Sequence, residues 1–259
     1  MTQRTLRALT RALSPAIVRC ELTHLARQPI DYARAVAQHE AYEALLVSLG
    51  VKVTRLPAET ELPDAVFVED TAVVLDELAV ITRPGAESRR PECESIATAL
   101  QPWRSLVQIS APGTLDGGDV LRVGRTIYVG LSSRSNSQAA AQMSELLRPF
   151  DYRVQTLAVR GCLHLKSAVT AASDAMLLLD PACVDRAAFR DVEIVEIDPA
   201  EACAANLLSL GDCVVMDCAA PRTAARLRAR EVRVHTLDLS ELAKAEGAVS
   251  CCSLVFAVD

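Results

Sequence analysis

The 259-residue chain is 51% hydrophobic and 23% charged, with a formal net charge of −6, which is a globular composition long enough to bury a core without disulfide or metal staples. The acidic balance argues against a nucleic-acid binder, which carries a basic stripe, and aromatics at 3% leave little for base stacking. No apolar run reaches the roughly 18 residues of a membrane span. The basic segment from Met1 to Leu13 has no apolar stretch of the secretory kind, so a cytoplasmic protein is expected, with an amphipathic transit peptide as the alternative.

The first readable element is an amphipathic helix from about Asp31 to Gly50. Tyr32, Val36, Tyr42, Leu45, Leu46 and Leu49 form its apolar stripe, and Gly50 fits a helix C-terminal cap. Val51 to Leu56 reads as a short strand. A pattern of strand, turn, strand and then helix follows. Its first instance is Val66–Leu75, a turn at Asp76–Glu77, and Leu78–Pro84. Its second is Thr114–Val123, a turn at Gly124–Arg125, and Thr126–Leu131. The third runs from His164 through Thr170 and resumes at Ala175–Leu179. The fourth is Asn206–Leu210, a turn at Gly211–Asp212, and Cys213–Met216. Cys251 to Val258 reads as a last strand. Helical stretches are expected over 89–100, 136–147, a short piece around Ala187, and 220–230. The period of roughly 40 to 50 residues is the range of propellers and repeat arrays. The expected architecture is one α/β domain, residues 1–259, with about five such units around an axis; an ordinary α/β sandwich is the alternative.

Nine cysteines are present, at 20, 93, 162, 183, 203, 213, 218, 251 and 252. No pair has CxxC spacing, so a structural zinc site is not indicated. Most read as small buried apolar residues. The adjacent pair Cys251–Cys252 is the exception worth following. In a strand, neighbours point to opposite faces, so one of the two can face a site while the other packs.

Polar residues recur at the start of the units: Glu69–Asp70, Asp116, His164 and Cys251. Units arranged around an axis bring these together as a thiol, an imidazole and carboxylates. A thiolate attacks carbon, and a nearby cation favours the thiolate. An imidazole serves as general acid and base. Carboxylates hold a planar guanidinium. These parts suit hydrolysis of an amidine or guanidine. Each residue alone has an ordinary reading: His164 as a satisfied core residue, Glu69–Asp70 as a turn, Asp116–Asp119 as a turn, Arg89 and Arg134 as solvated surface. Their shared unit position favours the site.

The segments Leu62–Asp70 and Ile81–Arg90 resemble dimethylarginine dimethylaminohydrolases. So do Thr114–Asp119, Leu163–Ser167, Val249–Ser253, Asp31–Ala35 and Gln38–Tyr42, so the resemblance runs in order through nearly the whole chain. It implies the α/β-propeller of the guanidino-group-modifying enzymes, the pentein fold, with five pseudo-symmetric units around a central site. It implies hydrolysis of Nω,Nω-dimethyl-L-arginine and the monomethyl form to L-citrulline and a methylamine. It also implies no cofactor in turnover, and zinc at Cys251 as an inhibitor.

By motif, Cys251 matches the nucleophile, His164 the acid and base, and Asp116 the carboxylate that orients His164 and holds a guanidinium nitrogen. Glu69 and Asp70 match the acidic pair around the guanidinium, and Asp64 the residue near the α-amino group. Arg89 and Arg134 match the clamp on the α-carboxylate, and Phe67 lines the alkyl channel. Leu22, on a loop over the site, and Ala245 match residues whose backbone carbonyls take the amino group. The loop from Cys20 to Ile30 resembles the family least. The implied partner is the small substrate alone, with no nucleic acid or membrane and with a symmetric homodimer as the common assembly. The rival functions are a relative acting on arginine, agmatine or citrulline, and a silent binder of cationic amino acids. The pair Arg89 and Arg134 argues against agmatine, and a thiol at 251 argues against a pure binder.

Overall fold

The chain enters as strand β1 (Thr5–Arg11), passes through helix α1 (Tyr32–Ser48) and returns as β2 (Lys52–Leu56). The next two units have the order strand, strand, helix, strand. The first is β3 (Ala72–Val74), β4 (Leu78–Ile81), α2 (Glu92–Leu100) and β5 (Ser105–Gln108). The second is β6 (Val120–Val123), β7 (Thr126–Leu131), α3 (Ser137–Leu147) and β8 (Arg153–Ala158). The third opens with the one-turn helix α4 (Leu165–Ala168) and continues as β9 (Val169–Ser173), β10 (Met176–Leu179) and β11 (Glu193–Glu196). The fourth is β12 (Leu207–Ser209), β13 (Val214–Asp217), α5 (Pro221–Arg228) and β14 (Val234–Leu237), and the chain closes with α6 (Ser240–Ala243) and β15 (Leu254–Val258). This computed structural model describes residues 4–202 and 204–258; Met1–Gln3, Cys203 and Asp259 lie outside the described residues.

Among the described residues the strands form five three-stranded sheets, β3-β4-β5, β6-β7-β8, β9-β10-β11, β12-β13-β14 and β15-β1-β2. In each sheet the first pair is antiparallel and the second parallel. The last strand thus completes the sheet begun by the first, which closes the ring. The inner strands β3, β6, β9, β12 and β15 line a shared cavity along the axis. The architecture is the five-unit α/β-propeller expected from the period.

Two kinds of element differ from the sequence reading. Each of the four units after β2 has a third strand that the sequence did not announce, and Thr5–Arg11, within the basic N-terminal segment, is the strand β1. β5 and β8 are edge strands whose residues are mostly half-exposed or exposed, so they carry no apolar run to betray them. β1 holds Arg7 and Arg11 among its apolar residues, and Arg11 is buried against Glu59 at 3.0 Å. The second difference concerns the polar residues. Glu69–Asp70 and Cys251–Cys252 lie in 3₁₀ turns, Val68–Thr71 and Ser250–Cys252, just before their strands. Asp116 and His164 likewise cap a short turn or helix ahead of β6 and β9. The expected strands were therefore too long at their starts. A 3₁₀ turn frees side chains from the two-faced alternation of a strand.

Helix α1 follows its sequence signals. The Asp31 carboxylate accepts from Arg34 N–H at 3.1 Å as N-cap, and Gly50, just beyond the end, has φ +86°. Its inner face packs Ala35, Tyr42 and Leu46 into a core shared with Val66, Phe67, Leu242, Val249 and Cys252. His39 on the same face is fully buried, and neither ring nitrogen has a hydrogen-bond partner among the described residues. Burial, aided by the charge of Arg55, pushes its pKa down from 6.5 to about 4. Between those values the unfolded chain binds a proton that the folded protein refuses. Stability is therefore lost as pH falls from 6.5 toward 4, by up to about 3 kcal/mol. His39→Leu is expected to shrink the drop in melting temperature between pH 7 and pH 4.5 by several degrees. Equal drops in both proteins would acquit His39. No described helix is long and apolar enough to cross a membrane.

Candidate active site

The pre-strand turns converge at one end of the axis. A narrow cleft there is lined by Glu21, Asp64, Phe67, Asp70, Arg89, Arg134, Leu163, His164, Ala245, Glu246 and Cys251. The Cys251 thiol is carried by a 3₁₀ turn held by its own N–H donating to Ala248 O at 3.2 Å. Cys252, its neighbour, is fully buried, and its thiol meets Ala248 O at 3.5 Å. The two cysteines do diverge as expected, but by the rotation of the turn and not by strand alternation.

His164 is buried, with Nε2 3.0 Å from Asp116 Oδ2 and Nδ1 3.8 Å from Asp70 Oδ1. Asp116 is wholly buried behind it. Its other oxygen accepts from Gly85 N–H at 2.9 Å, and its own N–H donates to Ser135 Oγ at 3.0 Å. Two glycines make this closeness possible. A Cβ on Gly118 would stand 2.6 Å from His164 Nδ1 and 2.8 Å from Asp70 Oδ1, and one on Gly117 would collide with Glu69 O. The Gly118 N–H also donates to Asp70 Oδ1 at 2.9 Å. The pair in Asp116-Gly117-Gly118-Asp119 is thus a close-approach device, and not a phosphate loop.

The electrostatics follow from burial and charge. Desolvation alone would lower His164, but Asp70, Asp116 and Asp119 outweigh it and push the imidazole up to about 9. His164 is therefore an imidazolium at neutral pH. Burial, then Glu69 and Asp70, push the Cys251 thiol well above its ordinary value. For Asp70, burial is outweighed by His164 and Arg89, and its carboxyl is held low. The shifts favour a thiol and an imidazolium as the resting pair.

The substrate-end residues are placed unequally. Arg89 borders the cleft but is 5% exposed, with its donors on Glu92, Asp70, Phe67 O and Asp64 O. Arg134 is engaged more lightly, with Nη2 donating to Thr23 Oγ1 at 2.9 Å. The Asp64 carboxylate accepts from Glu21 N–H at 3.0 Å, and burial raises its pKa. Phe67 and Ala245 border the cleft. Asp116, Glu69 and Leu22 are not on its lining. Asp116 stands behind His164. Glu69 turns to Lys166 and Ser250, each at 2.7 Å, and lines the axial cavity instead. Leu22 packs against the core beneath α1.

Sequence reasoning passed over several contributors. Glu246 accepts from the N–H groups of Thr23, His24 and Leu25 and so fastens the loop over the site. Asp119 accepts from Leu165 N–H at 2.9 Å and Ser132 Oγ at 2.6 Å, tying the His164 turn to the Arg134 loop. Glu92 is a buried carboxylate that burial raises to about 7 despite Arg89. The acid following the two glycines was a usable signal for Asp119. Glu246 carried none, being one acid among many on exposed loops.

Asp70, Asp116 and His164 also place one ligand atom each within 4.8 Å of one another, but the Asp116 oxygens and the imidazole are already bonded to each other and to Gly85.

Comparison with known proteins gives concordant relatives. A family model for N,N dimethylarginine dimethylhydrolase, eukaryotic, matches residues 25–255. The N(G),N(G)-dimethylarginine dimethylaminohydrolase of Pseudomonas aeruginosa is 38% identical over 228 residues, 87% of this chain and 90% of the relative. That of Streptomyces coelicolor is 37% identical over 251 residues, 96% of each chain. The solved structure of the Pseudomonas aeruginosa DDAH, a cysteine-to-serine mutant complexed with citrulline, superposes with a TM-score of 0.92 at 36% identity, covering 96% of this chain and 98% of that one. On matches of this extent and identity, the chain belongs to the dimethylarginine dimethylaminohydrolase family.

Proposed function

We propose that this protein hydrolyses Nω,Nω-dimethyl-L-arginine, and the monomethyl form, to L-citrulline and dimethylamine or methylamine. The observation that carries the reading is one buried cleft holding a thiol, an imidazolium backed by Asp116, and the carboxylate of Asp70. The relatives' names and the citrulline in the Pseudomonas aeruginosa complex support the substrate class.

The reaction follows from the charges. Burial first, and then the carboxylates of Glu69 and Asp70, hold the thiol protonated. A guanidinium seated beside those carboxylates offsets their field, and the thiol releases its proton to solvent. Its sulfur bonds to the guanidinium carbon. The His164 imidazolium gives its proton to the departing dimethylamine nitrogen as the C–N bond breaks, leaving a covalent thiouronium. Neutral His164 then takes one proton from water as the oxygen bonds to the same carbon; the C–S bond breaks, and the second water proton returns to the departing sulfur, giving citrulline and the resting thiol. Asp116 holds the ring in place through both halves. Arg134 takes the substrate α-carboxylate, with Arg89 behind it, and the acids Asp64 and Asp70 take the cationic groups, while Glu69 acts from behind the turn. Ala245 and Leu22 offer their carbonyls to the amino group, and Phe67 packs on the alkyl chain.

Residues 1–259 act as one catalytic domain, because Cys251, His164, Asp116 and Asp70 come from four different units. The free thiols of Cys20, Cys93, Cys213 and Cys252 suit a reducing compartment such as the cytoplasm. The test is citrulline formation from asymmetric dimethylarginine, monomethylarginine, L-arginine and agmatine, with Cys251→Ser as blank. Citrulline from the methylated substrates alone is the expected result. Preference for arginine would move the enzyme to the deiminase side of the same fold, and silence on all four would overturn the reading.

A further inference from the structure

The reaction scheme uses a pre-strand residue from four units, and leaves one unused. The unit that opens with β12 carries Asn206 at that position. It is buried, and its amide makes three hydrogen bonds. Nδ2 donates to the Lys166 carbonyl at 3.1 Å and to Ser250 Oγ at 2.9 Å, and Oδ1 accepts from Ser250 N–H at 3.0 Å. The backbone donor of Ser250 fixes which end of the amide is oxygen, since the flipped amide would set N–H against N–H. Lys166 lies two residues past His164, and Ser250 one before Cys251. A single side chain therefore bolts the imidazole's turn to the thiol's turn.

The same amide orders a proton. Because Ser250 Oγ accepts from Nδ2, its hydrogen goes to Glu69 Oε2, while Lys166 Nζ holds Oε1. Glu69 is the first of the charges that push the Cys251 thiol up. Lys166 and the Ser250 hydroxyl offset that carboxylate, and Asn206 holds the second of them in place.

We propose that Asn206 is a positioning residue for the reaction, setting the placement of Cys251 relative to His164 and directing the Ser250 hydroxyl onto Glu69. The proposal rests on Cys251 as the nucleophile. Its test uses Asn206→Asp, which keeps the acceptor for Ser250 N–H and loses both donors, and Asn206→Leu, which loses all three bonds. Each is read by kcat and KM on dimethylarginine, by melting temperature, and by the pH midpoint of Cys251 alkylation with iodoacetamide, mapped by mass spectrometry. The expected result is a fall of about 100-fold in kcat, as a misplacement near 1 Å costs, with KM within about threefold. In Asn206→Asp, and in Ser250→Ala, which frees Glu69 without adding a charge, the alkylation midpoint rises by about one pH unit or more. If Asn206→Leu does not fold, Asn206→Asp and Ser250→Ala decide, the latter expected to lower kcat without raising KM.

An unmoved midpoint in Asn206→Asp, with activity lost only in step with melting temperature, assigns a structural role and overturns the proposal. So does an unchanged kcat. Alkylation needs no substrate, so the two readings fail separately. A wild type that makes no citrulline sinks the function while the midpoint still judges Asn206. An active wild type with an indifferent Asn206→Asp sinks only the proposal.

Discussion

Cys251→Ser is expected to lower turnover of dimethylarginine by at least roughly four orders of magnitude, while Cys252→Ser keeps at least about a third of the wild-type rate. The difference rests on where one 3₁₀ turn points two adjacent thiols. Cys251 borders the cleft with His164, Asp70 and Arg134. Cys252 is fully buried among Tyr42, Val66 and Val249. A serine hydroxyl at 251 ionises far less readily than a thiol, and the burial and carboxylates that already hold the thiol protonated act on the hydroxyl as well. At 252, a serine could donate to Ala248 O as the thiol now does, so its cost falls on stability. The measurement is citrulline release by both variants beside their melting temperatures. Equal loss from the two would show that the wrong thiol has been assigned to the cleft.

His164→Ala is expected to lower turnover by roughly 10²- to 10⁴-fold, the range of a general acid and base. The wild-type pH profile should carry the same residue's signature. The imidazole is pushed up to about 9, so loss of the proton it gives to the leaving amine lowers activity above about pH 9. The stability consequence has a definite sign. A histidine raised above its unfolded value of 6.5 contributes stability fully below 6.5 and loses it as pH rises through about 9. The full difference is about 3 kcal/mol. Calorimetry across pH 6 to 10 should therefore find the wild type falling toward the His164→Ala variant as pH rises. A near-normal rate in the variant would reduce His164 to a packing residue, and parallel calorimetric curves would remove its charge from the account.

Much of the site was legible because apolar strands make polar residues conspicuous. Asp70, Asp116, His164 and Cys251 stood out at the starts of hydrophobic runs, and the run spacing gave the five units. The same rule hid the third strands: β5 and β8 lie at sheet edges, where exposed residues erase the periodicity. It also drew the inner strands too far back, since a 3₁₀ turn and a strand start share the same residue types. The repeat, the placement of chemistry at unit starts and the family pattern are local in the chain, and each could be read along it. The partners these residues take were settled by the folded chain. Glu69 leaves the cleft for Lys166, 97 residues away, and Ser250, 181 residues away. Arg89 is consumed by Asp70 and Glu92, and Asn206 joins turns that lie 40 and 44 residues from it. Charge balance and hydrogen-bond direction depend on distances of a few ångströms between such segments, and no periodicity along the chain encodes those distances.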